Sequence, residues 1–241
     1  MKAGFYEADI TPAVGMEQPG GYGKVYISRI HDPLKVRAAV IDDGSERVAL
    51  VGVDTCVIQS AQAVAEARQA VQEHCGIKGD HVLIAASHTH AGGPFFGLLA
   101  RDVEGAPELV RDLVLNHSTV TDPEYRDWVI AQICTAICEA DRRKEDARLA
   151  VGSGCEGKTT FNRRFRMKNG RSYTHPGKGN PDIVEPAGPI DPEVGVIAAW
   201  GSRGDLLGCI VNFACHGTTF GGGVSADWIG YLDSTIKGAM G

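Results

Sequence analysis

The sequence lacks the features that define several large functional classes. Its 241 residues carry a formal net charge of −6 at pH 7, which argues against the basic face of a nucleic-acid-binding protein. No apolar run approaches the roughly 20 residues of a transmembrane helix, so no transmembrane segment is expected. The N-terminus, MKAGFYEADITP, has no apolar signal core. As written, the chain is therefore expected to be cytoplasmic, or secreted if a leader has been removed.

Common catalytic and binding motifs are also missing. The seven cysteines include no C-x-x-C pair, which argues against a cysteine zinc site and favours reduced thiols. Cys56 lies in an apolar run and is interpreted as a small buried hydrophobic residue. No G-x-S-x-G nucleophile elbow and no P-loop occur. Glycine, in contrast, is abundant at 31 residues, clustered at turns between short elements.

The order of secondary-structure patterns indicates an α/β domain. The predicted strands cover 34–42, 47–53, 81–86, 147–153, 194–200 and 206–214, and the predicted helices cover 60–75, 122–144 and the chain from about 227. The strand at 47–53 is apolar enough to be buried on both faces. Segments 95–121 and 154–193 are predicted to be irregular. No internal repeat or linker divides the sequence, so residues 1–241 are expected to form a single domain.

Two apolar strands end in histidine and continue into glycine. VLIAASHTHAGG contains His88 and His90, and CIVNFACHGTTFGGG contains His216. Imidazole is a common zinc ligand, and glycine lets a metal or substrate approach the backbone. The three histidines could hold a catalytic zinc together. Alternatively, one could shuttle protons while a carboxylate, Asp54 or Asp227, completes the metal site.

Each of these candidates also has a purely structural interpretation. Asp54 could bond neighbouring backbone amides, and Asp227 is placed to be a helix N-cap. The segment FNRRFRMKNGR is either a solvated basic turn or a clamp for an anion or a carbonyl group. In the second interpretation, Arg163 supplies fixed, permanently charged donors, and Asn162 holds a substrate amide or an oxyanion.

Taken in order, six stretches of the sequence resemble the neutral, non-lysosomal ceramidase family. They are GFYEADITPAVGMEQPGGYG, SHTHAGGP, FNRRF, DPEVGVIAAW, NFACHGTT and SADWIGYL, and they span nearly the whole chain. The resemblance implies an α/β fold of mixed β-sheets flanked by helices, arranged as an αββα-type layered sandwich. It also implies a zinc-dependent amide hydrolase of lipid metabolism that acts on a small-molecule or lipid-like N-acyl substrate.

The resemblance also assigns roles to individual residues. It implies that His88 and His216 bind zinc, that His90 lies beside the attacking water or the scissile carbonyl, and that Arg163 assists near the substrate. The remaining ligands of the family, a Glu and a Tyr, come from further downstream than this sequence extends. We therefore expect part of a larger catalytic domain, truncated at its C-terminal end, unless Asp54 or Asp227 substitutes for those ligands.

Departures from the family pattern leave other functions open. Asn-Arg-Arg stands where the family usually has Asn-Arg-Ser, so the pocket is expected to differ. A non-catalytic ligand-binding domain that retains the fold is one alternative. A metal-independent hydrolase with His90 and Asp54 as an acid–base pair is another. The sequence predicts neither the substrate itself nor the oligomeric state.

Overall fold

The α/β class predicted from the sequence is confirmed by the computed structural model, which describes residues 1–21, 23–58, 60–219 and 221–240. The strands are β1 (Lys2–Asp9), β2 (Lys35–Asp42), β3 (Arg47–Val53), β4 (Val82–Ala86), β5 (Glu145–Cys155), β6 (Arg164–Met167), β7 (Ser172–Thr174), β8 (Ile183–Pro186), β9 (Glu193–Gly201) and β10 (Leu206–Phe213). The helices are α1 (Ala61–Cys75), α2 (Glu108–His117), α3 (Pro123–Arg142) and α4 (Trp228–Met240). In the described part of the chain, no helix is long and apolar enough to cross a membrane.

The strands form a mixed seven-stranded sheet and a separate three-stranded sheet. The order in the larger sheet is β10-β9-β5-β1-β2-β3-β4, and the order in the smaller sheet is β7-β6-β8. Strand β2 pairs antiparallel with both β1 and β3, whereas β3 and β4 are parallel. Parallel neighbours require a crossover connection, and α1 provides it. The carboxyl ends of β3 and β4 therefore lie at the same edge of the sheet.

The chain divides into two compact units. The first comprises 1–149, 198–209 and 217–241, and the second comprises 150–197 and 210–216. Strands β5, β9 and β10 have residues in both units, and the three-stranded sheet belongs to the second. The expectation of a single domain stays a prediction.

The core of the first unit lies between the sheet and helices α1 and α3. Helix α1 begins after Ser60, whose hydroxyl accepts the amide of Ala63, and ends at Gly76 in the left-handed conformation. Helix α3 packs on β1 and β2. A Cβ at Gly4 of β1 would lie 2.0 Å from the carbonyl oxygen of Ala140, so this close packing requires glycine. The helix and the strands are thus held in direct backbone contact.

The structure differs from the sequence prediction in several elements. Strand β1 was not predicted, and β3 is buried on one face only, since its residues alternate in exposure. Helix α2 and a short 3-10 turn at Ala100–Val103 lie within 95–121. Helix α2 buries none of its residues. Segment 154–193 contains β6, β7 and β8, which are short and mostly exposed.

Candidate metal centre

The site is built where the parallel strands β3 and β4 end. Val53 pairs with Ala86 at the last step of the ladder. Beyond it, the amide of Ser87 donates to the carbonyl of Val53 at 2.9 Å, and the amide of His88 donates to the carbonyl of Thr55 at 3.0 Å. Residues 54–56 and 87–89 therefore continue side by side past the sheet edge. This is where α/β proteins commonly place ligand-binding groups.

The imidazole of His88 is held by the neighbouring strand extension. Its Nδ1 lies 2.5 Å from the carbonyl oxygen of Cys56, and because a carbonyl only accepts, Nδ1 is the donor. The Sγ of Cys56 lies 3.8 Å from the same nitrogen. The backbone of His88 has φ of 65°, in the left-handed region that non-glycine residues rarely adopt. Such strain is concentrated at functional sites.

The imidazole of His90 is held from a different part of the chain. Its Nδ1 lies 2.5 Å from the carbonyl oxygen of Gly20 and donates to it for the same reason. Its main-chain amide donates to the carbonyl of Gly217 at 2.9 Å. The residues that fix His90 thus come from two segments, each far from His90 in the sequence.

The two histidine rings meet through their Nε2 atoms. These nitrogens are 3.2 Å apart, and the rings are nearly perpendicular with centroids 4.8 Å apart. Two nitrogens bound at 2.0–2.1 Å to one tetrahedral metal ion would be about 3.3 Å apart. Ligand atoms of His88, His90 and Cys56 all lie within 4.8 Å of one another. Imidazole and thiolate suit zinc, so both the geometry and the donor chemistry fit a metal ion.

A buried hydrogen-bond network fixes the turn that carries both histidines. Thr89 is fully buried, and its hydroxyl donates to the carbonyl of Ser225 at 2.7 Å. The amide of Ser225 donates to the carbonyl of Ala91 at 3.0 Å, and its hydroxyl donates to the carboxylate of Asp32 at 2.5 Å. The peptide on each side of His90 is therefore anchored, which restricts the motion of the turn.

Comparison with known proteins adds sequence and fold relationships to this geometry. The chain is 27% identical to the neutral ceramidase of Pseudomonas aeruginosa over 222 residues, which is 90% of this chain and 30% of that protein. A crystal structure of neutral ceramidase from Pseudomonas aeruginosa aligns with a TM-score of 0.69 at 24% identity, covering 100% of this chain and 36% of that one. A solved ceramidase complexed with C2 aligns with a TM-score of 0.68 at 23% identity, covering 100% and 35%. No family model matches.

The resemblance to neutral ceramidases is confirmed. The structural alignments show that the ceramidase-like fold extends over the whole chain, which spans about a third of the length of these relatives. The sequence similarity independently covers 90% of the chain.

Asp54 directly follows β3 and is bound to basic groups. Its side chain is fully buried, and its Oδ2 accepts Nη1 of Arg37 at 2.7 Å and the amide of Lys35 at 2.9 Å. Burial raises the pKa of the Asp54 carboxyl, an effect that the charge of Arg37 opposes. Asp54 thus bonds a backbone amide through Oδ2, as the structural interpretation predicts. Its role as a metal ligand stays a prediction.

Asp227 is buried in the loop that leads into α4. Its carboxylate accepts the amide of Thr219 at 2.9 Å, the hydroxyl of Thr219 at 2.8 Å and the amide of Trp228 at 2.7 Å. Like His88, it has positive φ, here 57°. Asp227 therefore connects the start of α4 to the segment that follows His216.

The other predicted site residues belong to the second unit. Arg163 is exposed, and Asn162 is partly exposed. The Asn162 side chain donates to the carbonyl of Pro189 at 3.1 Å and accepts the amide of Arg164 at 3.0 Å. His216 is partly buried and directly precedes Gly217, whose carbonyl accepts the amide of His90. The structure thus brings together His88 and His90, and the roles of Asn162, Arg163 and His216 stay predictions.

Sequence reasoning missed two residues of the site. Cys56 is buried, as predicted, but it also contacts His88 through both its carbonyl and its thiol. The parallel register could have indicated this, since Cys56 and His88 both closely follow the ends of paired strands. Gly20 was predicted only to form a turn. Nothing in the local sequence indicates that it reaches His90, which is 70 residues away.

Proposed function

We propose that this chain is part of a zinc-dependent hydrolase that cleaves an amide (N-acyl) bond. The observation that carries the proposal is the facing pair of His88 and His90 at the sheet edge, in a chain similar to neutral ceramidases. In such a pair a carbonyl group holds each Nδ1, so one Nε2 can bind a metal ion and the other can face the reacting group.

The proposed zinc ligands are His88 and His216. A further ligand would come from Asp227 or Asp54, or from a part of a longer protein. Asp227 is favoured over Asp54 by the chain path, because it is bonded to Thr219, three residues after His216. When bound, zinc lowers the pKa of water to about 7 and polarises carbonyl groups.

His90 is the proposed group beside the scissile carbonyl. Its Nδ1 proton is committed to Gly20, so Nε2 is the atom that exchanges a proton with the reacting groups. As the neutral ring it accepts a proton from the attacking water. As the imidazolium it donates to the oxyanion or to the leaving amine.

Arg163 and Asn162 are the proposed substrate contacts outside the histidine pair. The guanidinium of Arg163 is exposed and permanently charged, as required to stabilise a carbonyl oxygen that gains negative charge. Asn162 is oriented by its bonds to Pro189 and Arg164, which places Arg163 beside an ordered turn. We propose a lipid-like N-acyl substrate because the similar proteins are ceramidases.

Metal content tests the proposal first. Protein from the longest open reading frame containing this chain is loaded with Zn²⁺, and metal is measured by mass spectrometry for the wild type, His88→Ala and His216→Ala. About one zinc per chain is expected in the wild type, with loss in both variants. His117→Ala is the matched control, since His117 lies on the exposed side of α2 and contacts Asp112; it should retain zinc.

Activity is then tested on N-acyl amides of graded chain length. Turnover by the wild type that is lost in His88→Ala and kept in His117→Ala supports the proposal. A zinc-free wild type that hydrolyses the amides would instead support a metal-independent hydrolase. A protein with neither zinc nor turnover would be a ligand-binding domain that retains the fold.

A further inference from the structure

We propose that Gly20 is a positioning residue that determines which ring nitrogen of His90 faces His88. This inference deepens the proposed function and rests on it. The contact is direct, since the carbonyl oxygen of Gly20 lies 2.5 Å from Nδ1 of His90. Gly20 acts through His90 and is not proposed to contact the substrate.

The bond to Gly20 fixes the tautomer of the neutral His90 ring. Because the carbonyl can only accept, it keeps the proton on Nδ1 and leaves Nε2 as the basic nitrogen. The same arrangement holds at His88, where the acceptor is the carbonyl of Cys56. The two basic nitrogens therefore face each other at 3.2 Å, as a shared metal or reacting group requires.

Only glycine fits at position 20. A Cβ there would lie 2.3 Å from the carbonyl oxygen of His90 and 2.8 Å from its Cα. The φ of Gly20 is 118°, a conformation that L side chains rarely adopt. Any side chain would therefore push the Gly20 carbonyl away from the imidazole that it holds.

The loop that carries Gly20 is fixed from both sides. Glu17 and Tyr26 form an antiparallel bridge, and the amide of Gln18 donates to the carbonyl of Val25 at 2.8 Å. The side-chain amide of Gln18 donates to the carbonyl of Gly223 at 2.6 Å. The loop thus presents one carbonyl group at a defined position, as a positioning role requires.

The test compares Gly20→Ala with Gly21→Ala. Gly21 is the matched control, because a Cβ there meets nothing within 4 Å and its φ lies outside the strained range. Amide turnover is measured by steady-state kinetics, Zn²⁺ affinity by calorimetry, the His90 tautomer by ¹⁵N NMR of metal-free protein, and folding by thermal unfolding. His90→Ala assigns the His90 signals.

We expect Gly20→Ala to lose the predominantly Nδ1-protonated state of His90 and to lower amide turnover about 10- to 100-fold, with Zn²⁺ affinity unchanged because His90 is not a proposed zinc ligand. Gly21→Ala should match the wild type in both. Wild-type turnover and an unchanged tautomer in folded Gly20→Ala would overturn the inference.

The role of Gly20 can be tested even if Gly20→Ala does not fold or the proposed function fails. If Gly20→Ala does not fold, the wild-type spectrum decides, because an Nε2-protonated neutral His90 in the wild type contradicts the bond to Gly20. If the wild type neither binds zinc nor hydrolyses amides, the proposed function fails. The tautomer comparison in metal-free protein still tests the role of Gly20.

Discussion

The two units of this chain hold their candidate functional residues in different ways. In the first unit, His88 and His90 lie on a turn whose backbone is bonded on both sides to buried segments. In the second unit, Met167 is the only buried residue, Arg163 is exposed, and His216, the other proposed zinc ligand, is partly buried. A metal site needs ligands fixed in advance, and a buried network provides this. A residue that contacts substrate can remain exposed until the substrate binds.

The first test of this contrast between the two units is the rate of amide hydrolysis, where we expect the largest effect. We expect Arg163→Ala to lower amide turnover about 10²- to 10³-fold while Zn²⁺ affinity stays unchanged, because a lost oxyanion donor affects the transition state. Steady-state kinetics and calorimetry on the same preparation separate the two effects. Arg171→Ala, which removes another exposed arginine of the second unit, is the control. Loss of zinc in Arg163→Ala would contradict the assigned division of roles.

Removing one partner of an ion pair should lower the free energy of unfolding far more in the first unit than in the second. Arg37→Met leaves the carboxylate of Asp54 buried without its cation, and we expect a loss of about 3–5 kcal/mol in the free energy of unfolding. Arg166→Met removes a pair with Glu185 in which both side chains are more than half exposed, and it should cost under about 1 kcal/mol. Urea unfolding measures both. Equal losses would show that burial does not separate the two pairs.

Truncation of apolar side chains tests whether side-chain packing stabilises the first unit more than the second. Ile137 of α3 is completely buried, so Ile137→Ala should lower the free energy of unfolding by about 2–5 kcal/mol. Phe161 is 70% exposed, and Phe161→Ala should change it by less than about 0.5 kcal/mol. A large loss at Phe161 would show that its ring is covered in the folded protein.

The smallest expected effect concerns acid stability. Although burial opposes its ionisation, hydrogen bonds from Lys237 and Lys35 lower the pKa of Asp233 from 3.8 to about 2. A lowered pKa stabilises the folded state above the unfolded-state pKa, and this contribution is lost as the pH falls toward about 2. Asp233→Asn should therefore reduce the loss in the free energy of unfolding between about pH 3.8 and about pH 2. Asp182→Asn, at an exposed pair with Lys168, should leave it unchanged; unfolding at stepped pH distinguishes them.

Local signals in the sequence predicted much of the fold. Asp-Gly is a local hairpin signal, and Asp42-Asp43-Gly44 joins β2 and β3, with its carboxylates accepting nearby amides. Asp122 caps α3, and Gly76 ends α1. These features depend on a few neighbouring residues, which a sequence displays directly.

Several elements that lie mostly on the surface, or that depend on distant pairing, were missed. Helix α2 has no buried side, and strands β6 to β8 are too short and too exposed to show an alternating pattern. Strand β1 is paired along its whole length with β2, which begins 26 residues after β1 ends. Its position in the sheet follows from long-range pairing, to which the local pattern is a weak guide.

By itself, the sequence determined that His88 and His90 follow a strand in an α/β fold and that the chain resembles neutral ceramidases. The tertiary structure alone decided how the two imidazoles face each other. Their ring nitrogens are oriented by the carbonyls of Cys56 and Gly20, and the turn between them is fixed by Ser225. Backbone carbonyls are the same in every residue, so the sequence does not mark the ones that orient a ligand. Only folding brings them into contact.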